Sequence, residues 1–351
     1  MRQARKAIVK RNRSSTIDAL LHSDEPSIRW KTIVGVLGED PHSRKSKELQ
    51  EEIRKSARAK ALIAGRDQRA VREKYVYANW RGAHWSLAML AEIGYPAGDT
   101  ELLPMRDQVL DCWLNDSFYM EFESKSAVPK HRSGEGVPII QGRCRRCASQ
   151  QGNALYSITR LGLADKKSDA LAERLMHWQW PDGGWNCDRK PSAHISSFNE
   201  SLLPMLGLAA HAERSGDDAA RAAAMKASEV FLCRSLFKRR TDGTVISPHM
   251  LRPKFPRYWH YDFLGALKAM SEMDLIKDPR CADALDVLER TELPGGGWAA
   301  LGRFYKVSQS MDVGTRFGSI SQVDWGGSGN RRVNEWVTAD ALFVLRAAGR
   351  I

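Results

Sequence analysis

The sequence predicts an all-α protein: an α/α toroid of alternating inner and outer helices, with extra helices at the N-terminus. Three observations predict it. Apolar residues recur at helical spacing in nearly every segment, as in "HWSLAMLAEIGY", "GNALYSITRLGL" and "TADALFVLRAAG", without convincing period-two alternation. Turn chemistry punctuates these segments, with "GYPAGD" at Gly94–Asp99, "PDGG" at Pro181–Gly184 and "PGGG" at Pro294–Gly297. Finally, "LGLADKKSDALAERLMHWQWPDGGW" and "MDLIKDPRCADALDVLERTELPGGGW" align as helix end, short link, amphipathic helix, Pro and Gly-Gly-Trp, and "IGYPAGDTELLPMRDQVLDCW" is a degenerate third copy.

Taken in order, residues 1–75 hold "TIDALLHS", "SIRWKTIVGVLG" and "KELQEEIRKSARAKALI", helices expected to pack on the ring as an N-terminal extension. Residues 76–351 form the toroid domain. Its amphipathic repeat helices read as the outer layer. Between them lie segments apolar on nearly all faces, such as "SSFNESLLPMLGLAAH", the pattern of a helix buried inside a ring of others. At each outer-to-inner turn, Gly183 and Gly184 permit positive φ and Trp185 covers a neighbouring helix end.

The chain has 351 residues, 42% of them hydrophobic, enough for one large core or two ordinary ones. The net charge is +12, with many of the cations in the first 75 residues. Such an arm suits nucleic acid, an anionic lipid surface or phosphate, and equally a solvated helical face. No nucleic-acid module is recognisable, so a small-molecule ligand is the expected partner, and peripheral membrane contact stays open. There is no run of about 18 apolar residues and no signal-peptide pattern, which reads as a soluble cytoplasmic protein. Six cysteines in such a chain are expected as free or metal-bound thiols.

In an alternating ring the outer-to-inner turns share one rim, so the starts of the inner helices converge. Those starts are "NWRGAHW", "CRRCASQQGN", "NCDRKPSAHISSFNE", "RYWHYD" and "NRRVNEW". They place Asn79, Trp80, His84, Trp85, Arg145, Asn153, Phe198, Asn199, Trp259, Tyr261, Asn334 and Trp336 around one mouth as the substrate-binding set. Asp262, His260, His194 and Cys147 are the candidate catalytic groups there. Arg81, Arg143, Arg145, Arg189 and Arg257 flank the same turns and favour an anionic ligand.

The stretch Gln179–Trp185 matches the Gln-x-x-x-Gly-x-Trp repeat and resembles that of squalene and oxidosqualene cyclases; the second copy, Glu292–Trp298, carries Glu in place of Gln. Over roughly residues 75–351 the chain is similar to the α/α-toroid superfamily of those cyclases and of protein prenyltransferase β subunits. The resemblance implies terpenoid cyclase- or prenyltransferase-like chemistry on an isoprenoid or other anionic ligand in the central cavity.

Three chemistries fit the rim. Cys147, Cys187 and His194, with His260 or Cys144 as a fourth group, offer the thiolate and imidazole ligands that zinc prefers, making zinc the candidate cofactor. The Asp-x-Cys spacing of the prenyltransferases is absent. Rim aromatics suit carbocation stabilisation, yet no Asp-x-Asp-Asp occurs, which leaves Asp262 as the acid. Cys147 beside Arg143, Arg145 and Arg146 suits a nucleophile with His194 or His260 as its base. A non-catalytic binding scaffold is the remaining alternative.

Overall fold

The computed structural model describes residues 13–64, 76–127, 136–307, 319–321 and 323–351. The basic stretch at 2–12 and the expected domain boundary at 75 lie outside the described residues. Helix makes up 54% of the chain and strand 6%, so the protein is all-α in class.

Among the described residues, five helices are buried around most of their circumference: α4 (Ala83–Glu92), α7 (Ala148–Arg160), α9 (Phe198–Ser215), α11 (Phe263–Glu272) and α13 (Glu335–Ala347). Four others bury only a stripe: α5 (Leu103–Trp113), α8 (Lys166–His177), α10 (Asp218–Leu232) and α12 (Ala282–Arg290). The two kinds alternate along the chain, as the apolar patterning requires. Each buried helix packs on the next, α4 on α7, α7 on α9, α9 on α11 and α11 on α13. The tightest approach is between α7 and α9. A Cβ on Gly152 would stand 2.3 Å from the Pro204 nitrogen, so only glycine admits that crossing.

The two Gly-Gly-Trp turns are built alike down to single hydrogen bonds. Trp185 donates its indole N–H to the Leu175 carbonyl at 2.9 Å, and Trp298 donates to Leu288 at 2.8 Å, each closing the end of the helix before it. The backbone N–H of Trp185 donates to Ser201 Oγ, and that of Trp298 to Thr338 Oγ1, both at 3.0 Å. Gly183 and Gly297 take φ of 100° and 76°, which permits the reversal. Gln179 ties the first turn to the following outer helix by donating to the carbonyls of Gly183 and Ala223. The departure in the second copy has a partner: Glu292 accepts from Arg13 at 2.9 and 3.0 Å.

Arg13 belongs to a helical stretch at 13–21, followed by α1 (Pro26–Lys31) and a π-helical turn, Thr32–Val36, then α2 (Arg44–Lys55) and α3 (Ala57–Ala64). Helix α1 and the π turn pack on α13, α3 packs on α4, and Lys31 bonds both Glu92 of α4 and Asp340 of α13. Among the described residues, strands are confined to two small sheets. Helix α6 (Asp116–Tyr119) leads into β1 (Glu121–Glu123), which pairs parallel with β2 (Val137–Ile140), and β2 runs antiparallel to β3 (Arg143–Cys144) through Gln141 and Gly142, both at positive φ. Strands β4 (Lys306–Val307) and β5 (Ile320–Ser321) form the other.

Removing the hydroxyl in Ser201→Ala leaves the buried Trp185 N–H without its acceptor. Denaturant unfolding should show a loss of about 1–3 kcal/mol.

Candidate functional site

The loop after the first Gly-Gly-Trp is fixed from several sides. Asp182, inside the turn, accepts from Ser196 N at 2.8 Å and Ser196 Oγ at 2.6 Å. Arg145 is fully buried, stacked on Trp180 at 4.5 Å, and donates to the carbonyls of Asp188, Ala193 and Ile140. Arg145 therefore holds the loop, and its expected role as a ligand contact is corrected to a structural one.

The fixed loop sets Cys187 against the starts of α7 and α9. The sulfurs of Cys147 and Cys187 and a carboxylate oxygen of Glu200 all lie within 4.8 Å of one another. Cys147 directly precedes α7, and Glu200 stands in the first turn of α9, 9% exposed. Glu200 Oε2 accepts from Ser149 N at 3.1 Å and Ser149 Oγ at 2.9 Å, while Oε1 accepts from the Cys187 thiol at 3.3 Å. Burial raises the Glu200 carboxyl above its ordinary range. The bond to the Cys147 sulfur, with burial, holds the Cys187 thiol far above its own.

This cluster differs from the expected ligand set in one member. His194 is exposed on the loop, with Nδ1 donating to the Ser192 carbonyl, and Glu200 takes the third place. Cys144, at the end of β3, joins Glu121 and His177 in a separate group.

The remaining rim residues divide by what they bond. Asp262 and Asn334 are the N-caps of α11 and α13, accepting from Gly265 N and Val337 N, and Asn199 accepts from Tyr261 N. Asp262 is buried, which raises its carboxyl, and Lys254 N also donates to it. His260 is stacked between Trp259 and Phe304, its Nδ1 donating to the Arg257 carbonyl; burial lowers it to about 4. Trp80 stacks on Tyr258 at 3.8 Å and donates to the Phe304 carbonyl. Trp85 is fully buried, Trp336 stacks on Phe255, and Phe198 and Tyr261 pack on Phe231. Asn79 is exposed. Apart from Asn79, these groups pack on one another, cap helices or bond neighbouring backbone.

The interior carries charges that the rim-based reading omitted. Lys268 donates to both oxygens of Glu92 at 2.7 and 2.9 Å, and Lys31 reaches Glu92 at 2.5 Å and Asp340 at 2.8 Å. Burial alone would raise Glu92, but Lys268 and Lys31 outweigh it and hold the carboxyl low. Burial alone would lower Lys268, but Asp340 and Glu92 hold it high. Glu92, Glu200, Lys268 and Asp340 each interrupt the apolar stretch of an inner helix, and that interruption was the available signal.

His84 is buried beside the same interior. The Trp113 indole can only donate, so His84 Nδ1 accepts at 3.2 Å, and Nε2 meets the Asn153 amide at 3.0 Å. No family model, curated protein or solved structure matches this chain.

Burial pushes His84 down to about 3 from an ordinary 6.5. Its folded-state value lies below its unfolded value, so its contribution is complete above pH 6.5 and lost as pH falls toward 3. His84→Gln, which keeps an acceptor for Trp113, should flatten stability between pH 6 and 4 by about 1.4 kcal/mol per pH unit in denaturant titrations.

Proposed function

We propose that the chain is an α/α toroid enzyme whose reaction centre is a zinc site formed by Cys147, Cys187 and Glu200, acting on a small polar substrate. One observation carries the reading: two thiols and a buried carboxylate from three separate segments meet within 4.8 Å, on a loop fixed by Asp182 and Arg145. The donor set suits zinc. Thiolates and a carboxylate bind it at about 2.0–2.3 Å, and three protein ligands leave a position for water or substrate. The carboxylate is also oriented, because Ser149 occupies Oε2 and leaves Oε1 facing the sulfurs. Zinc held there would supply Lewis acidity.

The toroid arrangement is supported by the alternation of buried and striped helices, the matching Gly-Gly-Trp hydrogen bonds, and Lys31 linking the first and last inner helices. The polar-substrate alternative is favoured over an isoprenoid. Rim aromatics such as Trp80 and Trp336 already face other rings.

Elemental analysis of protein purified without a metal-affinity column tests the centre. The expected result is about one zinc per chain, lost in Cys187→Ser and Glu200→Gln and retained in His194→Ala. Folded wild-type protein that takes up no zinc when it is supplied would overturn the reading.

A further inference from the structure

Two cavities adjoin between α7, α9 and α11, sharing Tyr156, Leu206 and Glu272 in their linings, and neither is lined by a member of the thiol cluster. The inner one, about 70 Å³, is lined by residues including Glu92, Asn153, Arg257 and Lys268. The outer one, about 270 Å³, is lined by residues including Arg160, Glu213, Arg221 and Asp274. Tyr156 and Glu272 line both, and the Tyr156 hydroxyl donates to Glu272 at 2.6 Å where the two adjoin.

The hydrogen-bond demand of the inner cavity is one-sided. Its carboxylates are answered, Glu92 by Lys268 and Lys31, and Glu272 by Tyr156. Asp262, just behind, accepts from Gly265 N and Lys254 N. Lys268 is taken up by Glu92. Arg257 is different: its Nη1 is buried and has no hydrogen-bond partner among the described residues, and Asp262, the carboxylate paired with it, is 4.0 Å away. Gly265 makes room for this guanidinium, since a Cβ there would stand 1.9 Å from Nη1. A buried guanidinium N–H without an acceptor carries a free-energy cost that a hydrogen-bonding oxyanion removes, and a planar guanidinium matches the paired oxygens of a carboxylate or phosphate.

We infer that the inner cavity is a binding site for a small oxyanion group, received by Arg257, with the rest of the ligand in the outer cavity. The volumes divide accordingly: the inner space admits a group of a few heavy atoms, and the outer space a small organic body. Entry runs past the Tyr156–Glu272 bond. The site is independent of the proposed zinc centre, so Cys187→Ser should leave it intact.

Titration calorimetry of the full chain with sodium acetate and with sodium phosphate, against chloride at matched ionic strength, tests this. Saturable one-to-one binding of at least one anion is expected, weakened at least tenfold in Arg257→Lys, which keeps the charge and loses the fork. The preferred anion identifies carboxylate or phosphate as the recognised group. If Arg257→Lys does not fold, the guanidinium resonances of ¹⁵N-arginine-labelled wild type replace it, and one buried guanidinium must shift at saturation. Binding of neither anion, equal affinity in Arg257→Lys, or unmoved guanidinium resonances would each overturn the inference.

Discussion

The ion network of Lys31, Glu92, Lys268 and Asp340 is the constraint on which the rest of the structure depends. It joins four elements far apart in sequence, α1, α4, α11 and α13, through contacts of 2.5 to 3.5 Å. Charges this buried are tolerated only when each is answered, and removing one partner strands the others. The network therefore ties α1 of the N-terminal segment to both α4 and α13. A second tie on the same segment, Arg13 to Glu292, meets the second Gly-Gly-Trp turn from outside.

That packing separates two chemical regions. At the starts of α7 and α9, Cys147, Cys187 and Glu200 meet beside a loop held by Asp182 and Arg145. Between α7, α9 and α11, the Arg257 cavity adjoins a second cavity at Tyr156 and Glu272. Gly152 against Pro204 sets the close crossing of α7 and α9. The thiol region is shaped by loop geometry, and the cavity by helix packing.

Much of the fold was legible in the sequence, because helical periodicity and Gly-Gly-Trp chemistry are local signals. The turn Gln141–Gly142 was also local, yet strands of two to four residues leave too short a pattern to read. The site was legible only by segment. The stretch around Cys187 stood out, but local spacing does not say which side chain turns toward which neighbour. Arg145 faces the loop carbonyls and Cys144 faces Glu121, although both flank Cys147 closely in sequence. Asn334 and Asp262 followed the ordinary capping preference of helix starts, which needs no ligand. Glu200 and Lys268 were passed over because their partners are 13 or more residues away. Arg257 was visible only as one of several arginines beside the turns, since nothing local marks its Nη1 as a buried donor without an acceptor.

A double-mutant cycle between Lys31→Met and Glu92→Gln tests the central constraint most directly. Unfolding free energies of the wild type, both single variants and the double variant should give a coupling of about 2 kcal/mol or more, with each single change costing more than the pair warrants alone. Additive effects, with coupling within about 0.5 kcal/mol of zero, would show that the N-terminal segment is held in place without this network.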